Sequence, residues 1–137
     1  MDLLINVDVE SLPEAIAFYT SALGLRVGRR FDDSFVELVG AAAPIYLLVK
    51  AEGTAPSPSA VETRTYRRHW TPVHLDFVVP DIEAAVLRAT TAGARLEQPV
   101  SDHAYGKLAV LADPFGHGFC LIQFEGGGYD AIARPSS

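Results

Sequence analysis

A histidine and the chain's only cysteine stand three residues apart in LADPFGHGFCLIQF, residues 111–124. Two such side chains can share a soft metal ion, or an imidazolium can activate a thiolate. The surrounding sequence reads as strand, turn, strand. Along HGFCLIQF, strand alternation places Cys120, Ile122 and Phe124 on one face, opposite Phe119, Leu121 and Gln123. His117 lies an odd number of residues from Cys120, so the two are expected to point to opposite sides of the sheet and not to act as joint ligands. A thiol with no cationic neighbour is expected to be a small, buried, apolar side chain.

A second pair is better placed. In VHLDFVV, His74, Asp76 and Val78 share one face, and Val73, Leu75, Phe77 and Val79 share the other. The second set is wholly apolar and is expected to lie under a helix, which turns His74 and Asp76 toward open space. An imidazole beside a carboxylate can orient a polar ligand or move a proton. The four histidines, His69, His74, His103 and His117, show no HxxxH spacing. The stretch VGAAAP lacks the Gly-Lys-Ser/Thr end of a phosphate loop, EGGGYD opens no clear helix, and no Gly-x-Ser-x-Gly elbow occurs.

The elements that carry these residues repeat once. DLLINVDVESLPEAIAFYTSALGLRV begins with an apolar run. Ser11 and Glu14 then read as a capping box, with Pro13 in the first turn. Leu12, Ala15, Ile16, Tyr19 and Leu23 recur at helical spacing, and Gly24 supplies a stop. PVHLDFVVPDIEAAVLRATTAGARL repeats the plan, with Asp81 as N-cap and Gly93 as stop. A shift of seventy residues superposes Leu4 on His74, Ser11 on Asp81 and Ile16 on Val86. Both glycines are expected in the left-handed conformation. Three strand-like runs follow each helix: LRVGRRF, SFVELVG and PIYLLVK, then RLEQPV, GKLAVLAD and GFCLIQF.

The expected architecture is α+β, two βαβββ modules whose mixed sheets curve around a cleft. The first module spans 1–53 and the second 72–127; a loop covers 54–71 and a tail 128–137. In the loop, TRTYRRHW reads as a solvated connector at Arg64, Arg67 and Arg68, with Trp70 a candidate for the cleft. The tail is expected to be mobile beyond about Ala133.

Composition narrows the partners. A 49% hydrophobic content supports a real core, and a net charge of −6 argues against non-specific nucleic-acid binding. The apolar stretch VGAAAPIYLLV contains Pro44 and is too short to span a bilayer. The start, MDLLINVDVE, lacks a basic n-region, and one cysteine cannot form an internal disulfide. The cytoplasm is the expected location, with neither nucleic acid nor membrane as partner.

VESLPEAIAFYTSALGL, with its Phe18–Tyr19 pair and closing Leu-Gly-Leu, and ADPFGHGFCLIQF, with its Asp-Pro-x-Gly turn, resemble the vicinal oxygen chelate superfamily. That group includes glyoxalase I, extradiol dioxygenases, fosfomycin-resistance transferases and bleomycin-resistance proteins. The resemblance implies metal ligands from the first and last strands of each half. Carried onto this chain, those positions are Leu4, Tyr46, His74 and Cys120. Only His74 keeps a usual ligand type. Leu4 has no donor, Tyr46 offers only a phenol, a poor ligand type at neutral pH, and Cys120 stands where a hard carboxylate belongs. The resemblance also implies a homodimer, as do curved sheets whose edges need cover.

The expected function is binding of a small organic molecule, with no metal cofactor; a divalent metal is the alternative. The expected cleft lining is Asn6, Asp8, Tyr46, Trp70, His74, Asp76, Cys120, Ile122 and Phe124. Tyr46 and Phe124 offer apolar area, and His74 and Asp76 offer orientation, with His74 the candidate acid–base residue. The alternatives are a glyoxalase/lyase- or dioxygenase-type enzyme, metal-dependent or using His74, and a self-associating accessory domain.

Overall fold

Both helices begin and end on the residues that the sequence marks. In the computed structural model, which describes residues 1–135, strand β1 (Ile5–Val9) leads into α1 (Leu12–Leu23). The Ser11 hydroxyl accepts the Glu14 amide at 3.4 Å, and Pro13 sits in the first turn. Gly24 closes α1 at φ 68°, inside the left-handed well. Helix α2 (Ile82–Ala92) follows β5 (Leu75–Val78), and its N-cap Asp81 accepts the Ala84 amide at 3.1 Å. Gly93 closes it at φ 121°, positive but outside that well.

The remaining strands are β2 (Arg26–Asp32), β3 (Phe35–Val39) and β4 (Ile45–Val49) in the first half. In the second they are β6 (Arg95–His103), β7 (Gly106–Ala112) and β8 (Gly118–Phe124). The chain therefore folds as two βαβββ modules, each with a four-stranded mixed sheet, ordered β1-β4-β3-β2 and β5-β8-β7-β6. The β1–β4 and β5–β8 pairs are parallel and the others antiparallel. The registers match: Asn6 pairs with Tyr46, and Asp76 with Cys120.

Alternation divides each sheet into two faces. The inner face of the first sheet buries Val9, Val36, Leu38, Ile45 and Leu47 under Ala15 and Phe18 of α1. That of the second buries Ala109, Leu111, Phe119 and Leu121 under Ile82, Ala85 and Ala89 of α2. The helices touch each other, and Phe18 meets Phe119 edge-on at 6.4 Å, so one core spans both modules. Fully burying each large aliphatic or aromatic side chain contributes about 1.5–3 kcal/mol, which makes this shared layer the main source of stability.

The Asp-Pro-x-Gly turn anchors the second module to the first. Buried Asp113 accepts the amides of Phe115 (2.8 Å) and His117 (2.9 Å) and the hydroxyl of Tyr19 from α1. Burial, then the Asp113 charge, pushes the Tyr19 phenol well above its usual range. Gly116 sits at φ 83°, and a Cβ there would lie 2.5 Å from the Arg67 carbonyl oxygen, so only glycine fits.

Two expectations need correction. Val73 is 77% exposed because β5 begins only at Leu75, so it does not lie under a helix. The connector is not simply solvated: Arg64 ion-pairs with Asp8 at 2.8 Å, and Arg68 with Glu97 at 2.6 Å. Buried Tyr66 donates its hydroxyl to the Lys50 carbonyl at 2.6 Å; Arg67 and Arg68 are exposed as expected, although Arg68 is ion-paired. The tail opens with a 3₁₀ turn over Gly128–Ala131; its last two residues, 136–137, lie outside the described part of the chain.

Candidate functional site

The outer faces, turned away from the helices, carry side chains that are buried yet outside the core cluster: Tyr46 in the first sheet, Cys120 and Ile122 in the second.

On the first face Glu37 sits mid-strand in β3, 7% exposed, opposite Tyr46. The Arg29 guanidinium grips its carboxylate from β2, with Nη2 at 2.7 Å and Nε at 3.1 Å, and Tyr46 donates its hydroxyl at 2.9 Å. Arg29 Nη2 also donates to the Tyr46 oxygen at 3.1 Å. Gly28 leaves the necessary room, since a Cβ there would lie 2.6 Å from the Glu37 carboxylate. The Arg29 hydrogen bonds hold the Glu37 carboxyl down at about 2. Beside this centre Phe31 stacks on Phe35 at 4.3 Å, Phe35 meets Tyr46 at 5.6 Å, and the Arg29 guanidinium lies 5.4 Å from the Phe31 ring centre. The result is a satisfied polar centre bordered by an aromatic shelf.

On the second face His74 Nε2 lies 3.1 Å from Asp76 Oδ1, and the Cys120 thiol is in reach of both. Burial, then the Asp76 charge, pushes the Cys120 thiol up to about 11, so it carries its proton at neutral pH. Ile122 is fully covered, whereas Phe124 is 38% exposed and packs edge-on against Tyr129 at 4.7 Å. Tyr105 continues this cluster to Tyr129 (5.3 Å) and stacks on His103 (5.1 Å).

A seam separates β1 from β5. Asn6, Asp8 and His74 line a cavity of about 370 Å³ there, with Tyr19, His69 and His117. Leu4, Tyr46 and Cys120 do not line it. Leu4 is 59% exposed ahead of β1, and Trp70 is 81% exposed and does not line the cavity. The Asp8 carboxylate is held by Arg64. His117 and Cys120 are separated as alternation requires: His117 bonds to the Asp8 carbonyl, and Cys120 faces Asp76. The expected lining is thus divided: Tyr46 lies on the first face, Asp76, Cys120, Ile122 and Phe124 on the second, Asn6 and Asp8 at the seam, His74 between the second face and the seam, and Trp70 at none of these.

Sequence reading missed Arg29, Phe31, Phe35 and Glu37, and the ring cluster around Tyr105 and Tyr129. A glutamate between apolar neighbours in SFVELVG was the available signal, since an acid central in a strand needs a partner.

Residues 4–122 match the family model of the glyoxalase-like domain. The chain belongs to that family, within the vicinal oxygen chelate superfamily. This glyoxalase-like chain is 29% identical over 136 residues to the anthracycline biosynthesis protein DnrV of Streptomyces peucetius, covering 97% of this chain and 44% of DnrV. The chain spans less than half the length of the curated relatives it matches. Its fold is shared with TioX from Micromonospora sp. ML1, with TM-score 0.70, 16% identity and coverage of 91% of this chain and 99% of TioX. It is shared too with TnmS3, an antibiotic binding protein from Streptomyces sp. CB03234, with TM-score 0.63, 19% identity and coverage of 91% and 96%.

The metal centre that the superfamily implies does not fit the residues present. Leu4 offers no donor, the Tyr46 oxygen is engaged by Glu37 and Arg29, and Cys120 holds its proton. His74, Asp76 and Cys120 bring donor atoms within 4.8 Å of one another, but all three belong to the second module. No four-donor set drawn from both modules is formed by these positions.

Proposed function

We propose that the chain binds a small organic molecule against the outer faces of its sheets, without the four-donor metal of its superfamily. One observation carries this reading: both outer faces hold polar groups of defined geometry beside exposed rings. The Arg29–Glu37–Tyr46 centre borders Phe31, and the His74–Asp76 pair shares its face with Phe124. Apolar area with a few convergent polar groups is the usual make-up of a small-molecule site. The names of TnmS3 and DnrV support a ligand of natural-product type.

A homodimer belongs to this reading. Strands β2 and β6 end their sheets with register shifts and charges, which blunt an edge. Strands β1 and β5 end them without such shifts, beside exposed Leu3, Leu4, Val73 and Val78. A second copy would cover these exposed apolar side chains and bring another outer face opposite.

A metal-independent acid–base reaction is the second reading, favoured by the 3.1 Å His74–Asp76 contact. A thermal-shift screen of natural-product-like compounds, followed by calorimetry, tests binding. His74→Ala is expected to weaken a hit by roughly 1–3 kcal/mol, the cost of an unpaired buried polar group. An unchanged affinity removes His74 from the site. Stoichiometric metal that survives dialysis, and is lost in His74→Ala, overturns the metal-free reading. A monomer by light scattering at micromolar concentration overturns the dimer.

A further inference from the structure

Two imidazoles meet where the connector crosses the seam. His117, from the β7–β8 turn, places Nε2 at 2.7 Å from the carbonyl oxygen of Asp8 in β1. His69, near the end of the connector, places Nδ1 at 2.8 Å from the carbonyl oxygen of Arg67. A carbonyl only accepts, so each of these two nitrogens carries a hydrogen. The other two nitrogens, His117 Nδ1 and His69 Nε2, face each other at 3.0 Å. A neutral imidazole has one N–H. Two neutral rings would therefore bring two bare lone pairs to hydrogen-bond distance. Two imidazolium rings would bring two N–H groups together. One proton between the rings satisfies all four nitrogens.

We propose that His69 and His117 share a single proton, and that this proton latches the connector across the seam between the two modules. Three parts of the chain meet in the latch: β1 through the Asp8 carbonyl, the connector through His69, and the β7–β8 turn through His117. The His69 amide adds a second tie, donating to the Gly116 carbonyl at 3.3 Å. Both rings line the seam cavity, so the latch also sets one of its walls.

The charges around the pair are accounted for. From β1, the Asp8 carboxylate is paired with Arg64. From the β7–β8 turn, Asp113 accepts the His117 amide and the Tyr19 hydroxyl of α1. From the connector, Arg68 is paired with Glu97 of β6, Arg67 is exposed, and the Tyr66 ring lies 6.3 Å from that of His117. Across the cavity, His74 is paired with Asp76. Neither ring donates to a carboxylate, which leaves the shared proton between them as the source of the contact.

The unfolded chain separates the rings and cannot share the proton. Stability is therefore linked to pH through this pair. It falls as rising pH removes the shared proton, and it falls again at low pH when a second proton enters.

Long-range proton–nitrogen NMR spectra of the wild-type imidazoles, from about pH 5 to 9, test the proposal directly. The expected result at neutral pH is three protonated nitrogens among the four of His69 and His117. The pair is expected to titrate in two coupled steps. In urea, the wild-type unfolding constant is expected to rise, relative to His69→Ala, by up to about tenfold per pH unit where the shared proton leaves. Independent single-step titration of the two rings overturns the latch. So does a His69→Ala variant whose stability follows the wild-type pH profile. If His69→Ala does not fold, the wild-type spectra alone decide. Neither measurement involves a ligand, so failure of the latch leaves the binding reading standing.

Discussion

The two modules have one backbone plan and two chemistries. Toward the helices they carry the same kind of residue: Leu38 and Ile45 in one, Leu111 and Phe119 in the other, all buried. Away from the helices they diverge at matched positions. The partner of Tyr46 on β3 is Glu37, whereas the partner of Cys120 on β7 is Val110. In the first module the polar atoms satisfy one another, so Arg29, Glu37 and Tyr46 form a fixed centre beside the exposed Phe31 ring. In the second, His74 and Asp76 keep about half and a third of their side-chain surface in contact with solvent. The inner faces are constrained by packing, and the outer faces are free to differ. One offers shape and the other offers open polar groups.

The largest expected effect tests whether inner and outer faces are separable at all. Phe18 is 2% exposed and touches rings from both modules, so Phe18→Ala should cost about 3–5 kcal/mol in urea unfolding. Phe31 is 46% exposed and rests on Phe35, so Phe31→Ala should cost only about 0.5–1.5 kcal/mol, the worth of an aromatic pair. Equal losses would make the outer face part of the core and end the comparison.

The next effect contrasts the buried thiol with its exposed neighbours. With the Cys120 thiol raised to about 11, its thiolate fraction at mildly alkaline pH is about a hundredfold below that of an ordinary cysteine. Alkylation of the native chain should be slower by that factor, and Asp76→Asn should recover part of it by removing the nearby charge. Rapid alkylation of the wild type would show a reactive thiol and reopen the nucleophile reading.

What the sequence made legible follows the same division. The repeat, the caps at Ser11 and Asp81 and the stops at Gly24 and Gly93 are local features, and they located both helices. Alternation placed His74 with Asp76 and separated His117 from Cys120, because parity within a strand is also local. The Arg29–Glu37 grip was not legible. It depends on which residues face each other across β2 and β3, and a register shift between Val27 and Arg30 breaks the simple count. Nor was the docking of the connector: Arg64 reaches Asp8 across 56 residues, a distance that no spacing rule covers.

A smaller effect sharpens the account of the first face. Tyr46→Phe removes one donor from Glu37 and should cost about 0.5–1.5 kcal/mol at neutral pH. The Glu37 carboxyl is held low in the folded state, chiefly by Arg29. Its contribution is therefore present above the unfolded carboxyl value, near 4.5, and is lost as pH falls toward about 2. Without the Tyr46 donor the folded value rises, so the acid loss should be smaller and complete at higher pH. An acid unfolding profile unchanged in both Tyr46→Phe and Arg29→Gln would mean that the charged centre contributes nothing to stability.

The smallest expected effect on stability belongs to the residue with the largest expected effect on binding. His74 and Asp76 form a partly exposed pair, and such pairs are worth about 0–1 kcal/mol. His74 precedes β5 and supplies no backbone hydrogen bond to the ladder that begins at Leu75. His74→Ala should therefore unfold at nearly the wild-type urea concentration. A double-mutant cycle with Asp76→Ala should return a coupling of about 0.2–1 kcal/mol. A loss as large as that of Phe18→Ala would make His74 part of the structural core. The contrast between a closed first face and an open second face would then have to be abandoned, because the one ligand position that kept its imidazole would be serving the fold.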